Sequence, residues 1–573
     1  MKKIFYKLML MFVAVTTCSA IFSSCNDEVV LPAATRLFRP IIADNNIEAG
    51  LDVDTVPYIK LKWDRYADAN QYIVKAIASD GTDSVSITTD SVNCRFSNLK
   101  FDKEYNIKIH SVNTVNSMQS KDFVVAVATP DFPTQLANIS TSNIIDTQVR
   151  IIWNTTENGL ATVFDTLKVY NITKDSLEVT SAVASSELAS GQKIIKKLQP
   201  QTKYRLEAYL KGKYKGKKLF NTTSAESYDG LVLDLRSMTA ADSYKYFTAT
   251  NALYTNTIDS VVKANPNQNI TFVLQGGVTY RMPTLMIPST TGKIKFATGL
   301  SLNGLASFAV SGNFDAAAST VIGGLEFKKI FFTDAPLEAK GRGVGDLNYG
   351  GTYLFNFSGP GSNVKNIKIS DSTIKYKRGI LRCKDAAAID TITVDNCIID
   401  SIGGYGIVTA DFATSKITNI KVTNSTLSSC GALFGGTKQA ASPISSIDIE
   451  NNTFVYCIPN AGTIFNYSGC TVASFILKNC LFGIGGKNPA EVLTTGIKGW
   501  SGTVVPGAQD CYFTSDYLWF LTVGTTTPTA QIPGTTLTSS TSQIFLDPTK
   551  SNFKITNTNA VLKAAKAGDP RWY

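Results

Sequence analysis

Five short segments in the C-terminal half decide the fold: IKISD (367–371), ITVDN (392–396), IKVTN (420–424), IDIEN (447–451) and FILKN (475–479). They start 25, 28, 27 and 28 residues apart. Four of them alternate apolar with polar side chains, which is typical of a strand with one buried face. A second short apolar strand follows each segment, and a third lies near a glycine, as in GIL (379–381). Three short strands per repeat predict one coil of a right-handed parallel β-helix.

The residue that ends each segment is predicted to have a structural role. Asn tolerates the left-handed conformation of a tight turn, and stacked Asn side chains can hydrogen-bond from coil to coil. Cysteines also recur at equivalent positions, Cys397 with Cys480 and Cys430 with Cys457. They are predicted to be small buried side chains and free thiols.

Before these repeats in the sequence, earlier coils are predicted at 270–274, 294–296 and 325–327. A helix over 251–264 is predicted to cap the first coil. A glycine-rich insertion over 334–350 separates two coils. It could overhang a groove or simply extend into solvent.

Residues 34–226 predict two β-sandwich modules. LQPQTKY (198–204) and the weaker LKFDKEY (99–105) place a Tyr six residues after a Leu. This spacing resembles the tyrosine corner of fibronectin type III domains. The run KGKYKGKK (211–218) falls where the last hairpin of the second module should turn. It is either a solvated loop or a contact for anionic sugar or lipopolysaccharide phosphate.

The N-terminus predicts export. Lysines at 2, 3 and 7 precede a mostly apolar stretch, 8–22, which is too short to span a bilayer and suits a signal peptide. The segment FSSC (22–25) resembles a bacterial lipobox, which implies lipidation of Cys25. The acidic pair at 27–28 resembles the Bacteroidetes signal for the outer face of the outer membrane. The expected location is therefore the cell surface, anchored by lipid.

The predicted organisation is all-β: a signal peptide (1–24), a lipidated linker (25–33), two fibronectin type III-like domains (34–130 and 131–228), and a right-handed parallel β-helix with an N-terminal cap and a C-terminal tail (229–573). The β-helix resembles the pectin-lyase-like superfamily. The whole plan resembles Bacteroidetes surface lipoproteins of unknown function that accompany starch-utilisation-type glycan importers, a group with which the ending GDPRW (568–572) is associated. The resemblance implies polysaccharide as the partner.

Composition excludes several kinds of site. The chain has one histidine, His110, which disfavours multi-histidine zinc sites and Ser-His-Asp triads. His110 itself is expected to be structural. The aspartate pair and histidine segment of polygalacturonases, and the segments of pectin methylesterases, are not found. The third strands carry few carboxylates, so a calcium site is not supported, and no metal or other cofactor is expected.

A candidate sugar-binding row lies along the third strand. Aligning the coils places Phe355, Arg382, Thr409, Phe434 and Phe465 in one outward row, the last four of them three residues after the glycine of their coil. Arg378 and Tyr405 precede it, and Leu381, Val408, Leu433 and Ile464 are expected to face the core. Aromatic rings stack on sugars, and Arg binds carboxylate or sulfate. The alternative is that the phenylalanines stack inside the coil.

Three functions remain open. A surface lipoprotein could bind an acidic polysaccharide of the pectin or glycosaminoglycan type for a glycan utilisation system, without cleaving it. A polysaccharide lyase could use Arg378, Arg382 or a nearby Lys as the base of a β-elimination. A structural or adhesive protein would need neither activity. The net charge of +10, from 55 basic and 45 acidic residues, permits an anionic partner, whereas nucleic acid is not expected.

Overall fold

The computed structural model describes residues 35–157, 160–248, 258–333, 352–434, 438–466, 470–498, 507–521, 529–556 and 560–573. The predicted signal peptide, the lipobox with Cys25 and the 334–350 insertion lie outside these residues, as does the first part of the predicted 251–264 helix. The described chain is all-β, with two sandwiches followed by a parallel β-solenoid, which confirms the predicted fold class.

The first module has the two-sheet plan of a fibronectin type III domain. One sheet contains three strands, Ile47–Leu51, Pro57–Lys62 and Asn93–Phe96, and the other contains Ser84–Thr89, Gln71–Ala78, Glu104–Asn113, Met118–Gln119 and Phe123–Ala128. Trp63 and Tyr72 pack edge to face in the core, with ring centroids 5.3 Å apart. The Tyr105 hydroxyl accepts a hydrogen bond from the Lys100 amide (3.0 Å) and donates one to Asp83 (2.6 Å). The predicted tyrosine corner is therefore present.

The second module repeats this plan. Its strands are Val149–Ile152 with Gln192–Ile195, a sheet of Ser176–Ala182, Thr166–Asn171, Lys203–Leu210 and Lys213–Asn221, and a small hairpin of Thr156–Glu157 with Leu160–Ala161. A helix, Ser185–Ser190, precedes the strand Gln192–Ile195. Its tyrosine corner joins the Tyr204 hydroxyl to the Gln199 amide at 2.9 Å.

Three parallel sheets form the solenoid. Sheet 1 contains Leu231–Asp234, Ile270–Leu274, Thr290–Thr298, Val321–Lys328, Asn363–Ser370, Ala388–Asp395, Lys416–Thr423, Ser446–Glu450, Phe475–Lys478 and Gly507–Gln509. Sheet 2 contains Thr279–Met282, Ala306–Val310, Ile330–Thr333, Thr373–Lys377, Ile398–Ile402, Thr426–Cys430, Thr453–Val455, Leu481–Phe482, Tyr512–Phe513 and Thr535–Thr536. Sheet 3 contains Leu285–Ile287, Phe314–Ala316, Tyr353–Phe357, Gly379–Cys383 and Val408–Ala410. Single parallel bridges at Phe434 connect sheet 3 to the strands Thr463–Asn466, Leu493–Lys498 and Leu518–Trp519, which continue it. The strand Thr529–Ala530 pairs antiparallel with Leu493–Lys498.

The core lies between the sheets, where equivalent side chains stack coil upon coil. On sheet 1, Phe272, Phe296 and Phe327 are in register, and neighbouring rings are stacked 5.1 Å apart at 8° and 9°. On sheet 2, Phe482 stacks between Phe454 (4.6 Å) and Phe513 (4.8 Å). These stacks bury apolar surface along the whole axis, which is the main source of solenoid stability.

The turn between sheets 1 and 2 carries the predicted ladder. Asp371, Asn396, Asn424, Asn451 and Asn479 have φ between 50° and 55°. The Asn424 side-chain amide donates to Asp395 at 2.8 Å, Asn451 donates to Asn424 at 3.1 Å, and Asn479 donates to Asn451 at 2.7 Å. The structural interpretation of this position is confirmed.

Buried cysteines occupy the predicted equivalent positions in the solenoid core. All eight described cysteines are buried, and none of them forms a disulfide bond within the described residues. Burial raises the pKa of the Cys397 thiol to about 12. The register of sheet 2 also brings Cys480 beside Cys511, a pair that the repeat alignment missed.

The N-terminal end of the solenoid is covered, and the C-terminal segment packs along its side. At the N-terminal end, helices Ala240–Lys245 and Ile258–Ala264 flank Phe247, which contacts the rings of Phe272, Phe296 and Phe308. At the C-terminal end, helices Thr541–Ile544 and Ala560–Ala565 and the hairpin of Phe545–Asp547 with Asn552–Ile555 pack outside sheet 2 around a second small core. Among the described residues, no helix is long and apolar enough to cross a membrane.

Asp569 and Arg571, near the C-terminus, bind side chains of the solenoid coils. The buried Asp569 carboxylate accepts from Thr426 Oγ1 (2.6 Å) and pairs with Arg571 (2.7 Å). Arg571 also donates to Asn396 Oδ1 (2.8 Å), a member of the ladder. The ending noted in the sequence is therefore a packed part of the domain.

Candidate functional site

The predicted outward row of sheet 3 is partly wrong. Phe355, Phe434 and Phe465 are exposed by 0%, 1% and 0%, respectively. Phe355 pairs with Leu381, Leu381 pairs with Val408, and bridges continue this inward row through Phe434 to Phe465. The three phenylalanines stack inside the coil, which was the alternative interpretation.

For Phe434 and Phe465, the error comes from using glycine to set the register. Val408 follows the glycine of its coil by two residues, whereas Phe434 follows Gly431 by three. The later coils therefore contain one more residue between glycine and strand. A one-residue shift moves a side chain to the opposite face of a strand, because side chains alternate with a period of two.

The outward row consists of Asp315, Asn356, Arg382 and Thr409. The prediction that Arg382 and Thr409 share this row is confirmed. Asp315 has a local structural function, since its carboxylate accepts from the Ser358 amide (2.8 Å) and the Ser358 hydroxyl (2.7 Å).

Arg382 is held by a neighbouring carboxylate. Its Nε donates to Asp411 Oδ2 at 2.9 Å, and its Nη2 lies 2.5 Å from the same oxygen. Burial lowers the pKa of the guanidinium, but the hydrogen bond and charge of Asp411 outweigh it, so the net pKa of Arg382 is raised. A base must release its proton, so this direction opposes a role for Arg382 as a lyase base.

Arg378 has a different environment. Its Nη2 donates to the Tyr405 hydroxyl at 3.2 Å, and its guanidinium lies 4.5 Å from the Tyr405 ring centroid and 5.7 Å from that of Tyr353. These two rings meet edge to face at 5.2 Å. Within the described chain, no carboxylate lies within ion-pairing distance of Arg378. It is a half-buried cation on an aromatic wall.

We refer to Tyr353, Asn356, Arg378, Arg382, Tyr405 and Asp411 as the arginine cluster. Three of its buried oxygens, Tyr353 Oη, Asn356 Oδ1 and Asp411 Oδ1, make no hydrogen bond to a described residue. Burial raises the pKa of Tyr353 to about 12, so its hydroxyl stays protonated. Buried polar atoms are normally hydrogen-bonded. Three that are not, beside a cation with no described carboxylate partner, are characteristic of a ligand or water site.

The structure thus brings together three predicted residues, Arg378, Arg382 and Tyr405. It adds Tyr353, Asn356 and Asp411, which the sequence analysis missed. Asp411 follows Thr409 by two residues and so lies on the same face, a signal that alternation alone could have provided. Asn356 was hidden by the register error at Phe355.

The other sequence candidates lie elsewhere. His110 Nδ1 lies 3.0 Å from Asp122 Oδ1 on the first module, consistent with a structural residue. The lysine-rich run turns at 211–212 and then forms the strand Lys213–Asn221, so its hairpin prediction is confirmed. Among the residues the structure describes, no group of three or more His, Cys, Asp or Glu side chains could hold a metal ion.

Two family models match parts of the solenoid, and neither description gives an activity. Residues 278–430 match the family model described as Domain of unknown function (DUF4957), and residues 447–572 match Domain of unknown function (DUF5123). The first covers the coils that contain the arginine cluster, and the second covers the later coils with the docked C-terminus. No curated protein matches the chain.

Solved structures similar to this chain include fibronectin modules. A two-domain fibronectin type III segment of chicken tenascin covers 33% of this chain and 100% of its own, with 16% identity and a TM-score of 0.17. The chicken CNTN1 FN1-FN3 domains cover 33% of this chain and 69% of their own, with 12% identity and a TM-score of 0.14.

Proposed function

We propose that this protein binds an acidic polysaccharide of the pectin or glycosaminoglycan type on sheet 3, at the arginine cluster, without cleaving it. The observation that carries the proposal is Arg378, a cation with no carboxylate partner in the described chain, which lies against Tyr405 and Tyr353. An arginine can bind a sugar carboxylate through two hydrogen bonds, and a tyrosine ring can pack on a sugar's C–H face.

The neighbouring oxygens complement that cation. Sugar hydroxyls can donate to Asn356 Oδ1 and Asp411 Oδ1, which have no partner among the described residues. A ligand with a carboxylate next to hydroxyl groups would satisfy both kinds of unmet hydrogen bond. A uronic acid residue has this pattern.

The remaining parts of the proposal concern location. Lipidation of Cys25 would anchor the chain in the outer membrane, and the two sandwich modules would hold the solenoid away from the surface. The glycan would then be presented to a starch-utilisation-type importer complex. These proposals rest on the lipobox, on the acidic pair at 27–28 and on the resemblance to Bacteroidetes lipoproteins.

Arg378→Ala is the direct test, and Arg281→Ala is a matched control. Arg281 is an exposed arginine on sheet 2, for which no side-chain partner is described. Affinity for polygalacturonate, hyaluronan and chondroitin sulfate is measured by affinity electrophoresis and calorimetry. We expect Arg378→Ala to weaken binding about tenfold or more, since a hydrogen bond to a charged group contributes about 1.5–3 kcal/mol. Arg281→Ala should bind like the parent.

Arg382→Ala is a less direct variant, because it leaves the mostly buried Asp411 carboxylate without its partner. Binding that is unchanged in Arg378→Ala for every acidic glycan bound by the parent would refute the site. No binding by the parent would favour a structural or adhesive protein. New ultraviolet absorbance from an unsaturated sugar product would instead identify a lyase.

A further inference from the structure

The two sandwich modules meet at an aromatic joint. Phe101 of the first module contacts Phe132 and Tyr214 of the second module, which also contact each other. The ring centroids are 5.4, 5.5 and 6.3 Å apart. The Tyr214 hydroxyl donates to Asp131 at 2.8 Å. Lys217 forms an ion pair with Asp102 across the joint. These contacts fix one module against the other.

A cleft of about 440 Å³ opens beside this joint. Its residues are Lys100, Phe101, Asp102 and Lys103 from the first module, and Arg205, Glu207, Tyr209, Tyr214 and Lys217 from the second. The volume lies in the range of small-ligand sites, which often form between domains. The tyrosine corner of the first module, in which the Tyr105 hydroxyl accepts from the Lys100 amide, holds that module's side of the cleft in place.

Positive charge predominates in the cleft, with four cations against two carboxylates. Both carboxylates are engaged: Asp102 pairs with Lys217, and Glu207 accepts from Arg205 Nε (2.7 Å) and from the Tyr209 hydroxyl (2.5 Å). Lys103 is also paired, with Asp80. One net positive charge therefore remains, and it attracts an anion.

Two cations keep donors for a ligand. Within the described chain, the Nη atoms of Arg205 make no hydrogen bond, although its guanidinium lies 4.8 Å from the Tyr170 ring centroid. Lys100 Nζ contacts only the Thr82 carbonyl (3.3 Å) and hydroxyl (3.5 Å) among the described residues. Phe101, Tyr209 and Tyr214 also line the cleft and supply aromatic surface.

We propose that this cleft is a second glycan-binding site, specific for a single anionic sugar residue that carries a carboxylate or a sulfate. Arg205 and Lys100 bind the anionic group, and Tyr209 or Tyr214 packs on the sugar ring. The cleft belongs to the sandwich modules and does not rest on the function proposed for the solenoid. Two sites on one chain would raise the avidity for a long acidic chain.

The test uses full-length Arg378→Ala protein, so that sheet 3 does not dominate the signal. Saturation-transfer NMR and calorimetry measure binding of glucuronate, glucosamine 6-sulfate and neutral glucose. Lys100→Glu and Arg205→Gln are compared with Lys75→Glu, which changes the charge of an exposed lysine elsewhere on the first module.

We expect at least one anionic sugar to bind and glucose to bind at least tenfold more weakly. Lys100→Glu and Arg205→Gln should each weaken anionic binding about tenfold or more, whereas Lys75→Glu should not change it. A preference between glucuronate and the sulfated sugar identifies the anionic group. Absence of anionic binding, equal binding of glucose, or unchanged binding in both cleft variants would overturn the proposal.

Discussion

The asparagine ladder gives the sharpest test of how the solenoid is held together. Asn424 has φ 50°, donates to Asp395 Oδ1 (2.8 Å) and accepts from Asn451 Nδ2 (3.1 Å). Asn424→Ala loses both hydrogen bonds, at about 0.5–1.5 kcal/mol each. It also places an alanine in the left-handed region, which costs about 1–2 kcal/mol. We expect a total loss of about 2–5 kcal/mol in the free energy of unfolding.

Asn424→Gly separates the two contributions. Glycine adopts positive φ without steric cost, so this variant should lose mainly the hydrogen bonds and be about 1 kcal/mol more stable than Asn424→Ala. Lys329 is the matched control, because it is in register with Asp371 and has φ 56° but carries no ladder amide. Lys329→Gly should leave stability unchanged or raise it slightly.

The assay is urea-induced unfolding of the full chain, followed by far-ultraviolet circular dichroism, with the solenoid transition fitted separately from those of the sandwich modules. If Asn424→Gly is as stable as the parent, the side-chain ladder contributes nothing. If Lys329→Gly loses as much as Asn424→Gly, the loss reflects backbone freedom and not the hydrogen bonds. Either result would refute this account of the ladder.

Three further predictions concern the termini and the core. Burial raises the pKa of Asp569, so its contribution to the free energy of unfolding should be greatest at acidic pH and should decline as the pH rises through that pKa. In urea titrations at pH 4 and pH 7, Asp569→Asn should lose less stability between the two pH values than the parent. An equal loss in the two proteins would contradict this. Thiol titration of the unfolded, unreduced mature protein should detect most of the seven solenoid cysteines, since same-position side chains in adjacent coils project in parallel, and detection of one or two would indicate disulfides. The Cys25→Ala variant should no longer be found in the outer-membrane fraction of the cells. Its retention there would exclude lipid anchoring at Cys25.

The sequence predicted the fold well because each element had a local signal. Alternating apolar residues fixed the strands, and the Asn at position 424 and its equivalents fixed the left-handed turn. The Leu-to-Tyr spacing predicted both tyrosine corners, where the hydroxyls of Tyr105 and Tyr204 bind backbone amides five residues earlier. These features need only short stretches of chain, so they can be read without knowing how the coils align.

The candidate site was less predictable, because it depends on register between coils. Phe434 and Val408 are paired although they lie at different distances from their glycines. The glycine belongs to a turn whose length varies, so it does not mark the start of pairing. An error of one residue exchanged core for surface, removed three phenylalanines from the proposed site and concealed Asn356.

The distribution of charged residues also depends on how the coils are arranged. The window 325–385 contains eleven basic residues against six acidic ones. The coil distributes these basic residues over different faces, with Lys368 on sheet 1, Lys375 on sheet 2 and Arg382 on sheet 3. Lys375 is also paired with Asp400, at 3.1 Å.

Residues about one coil apart, by contrast, become neighbours. Arg378 binds Tyr405, 27 positions later, and Arg382 binds Asp411, 29 positions later. In a solenoid, therefore, net charge has to be counted along each face and not along the sequence. On sheet 3 this count leaves Arg378 as a cation without a described carboxylate partner. Its chemical surroundings, more than the net charge of the chain, make it the residue on which acidic glycan binding should depend.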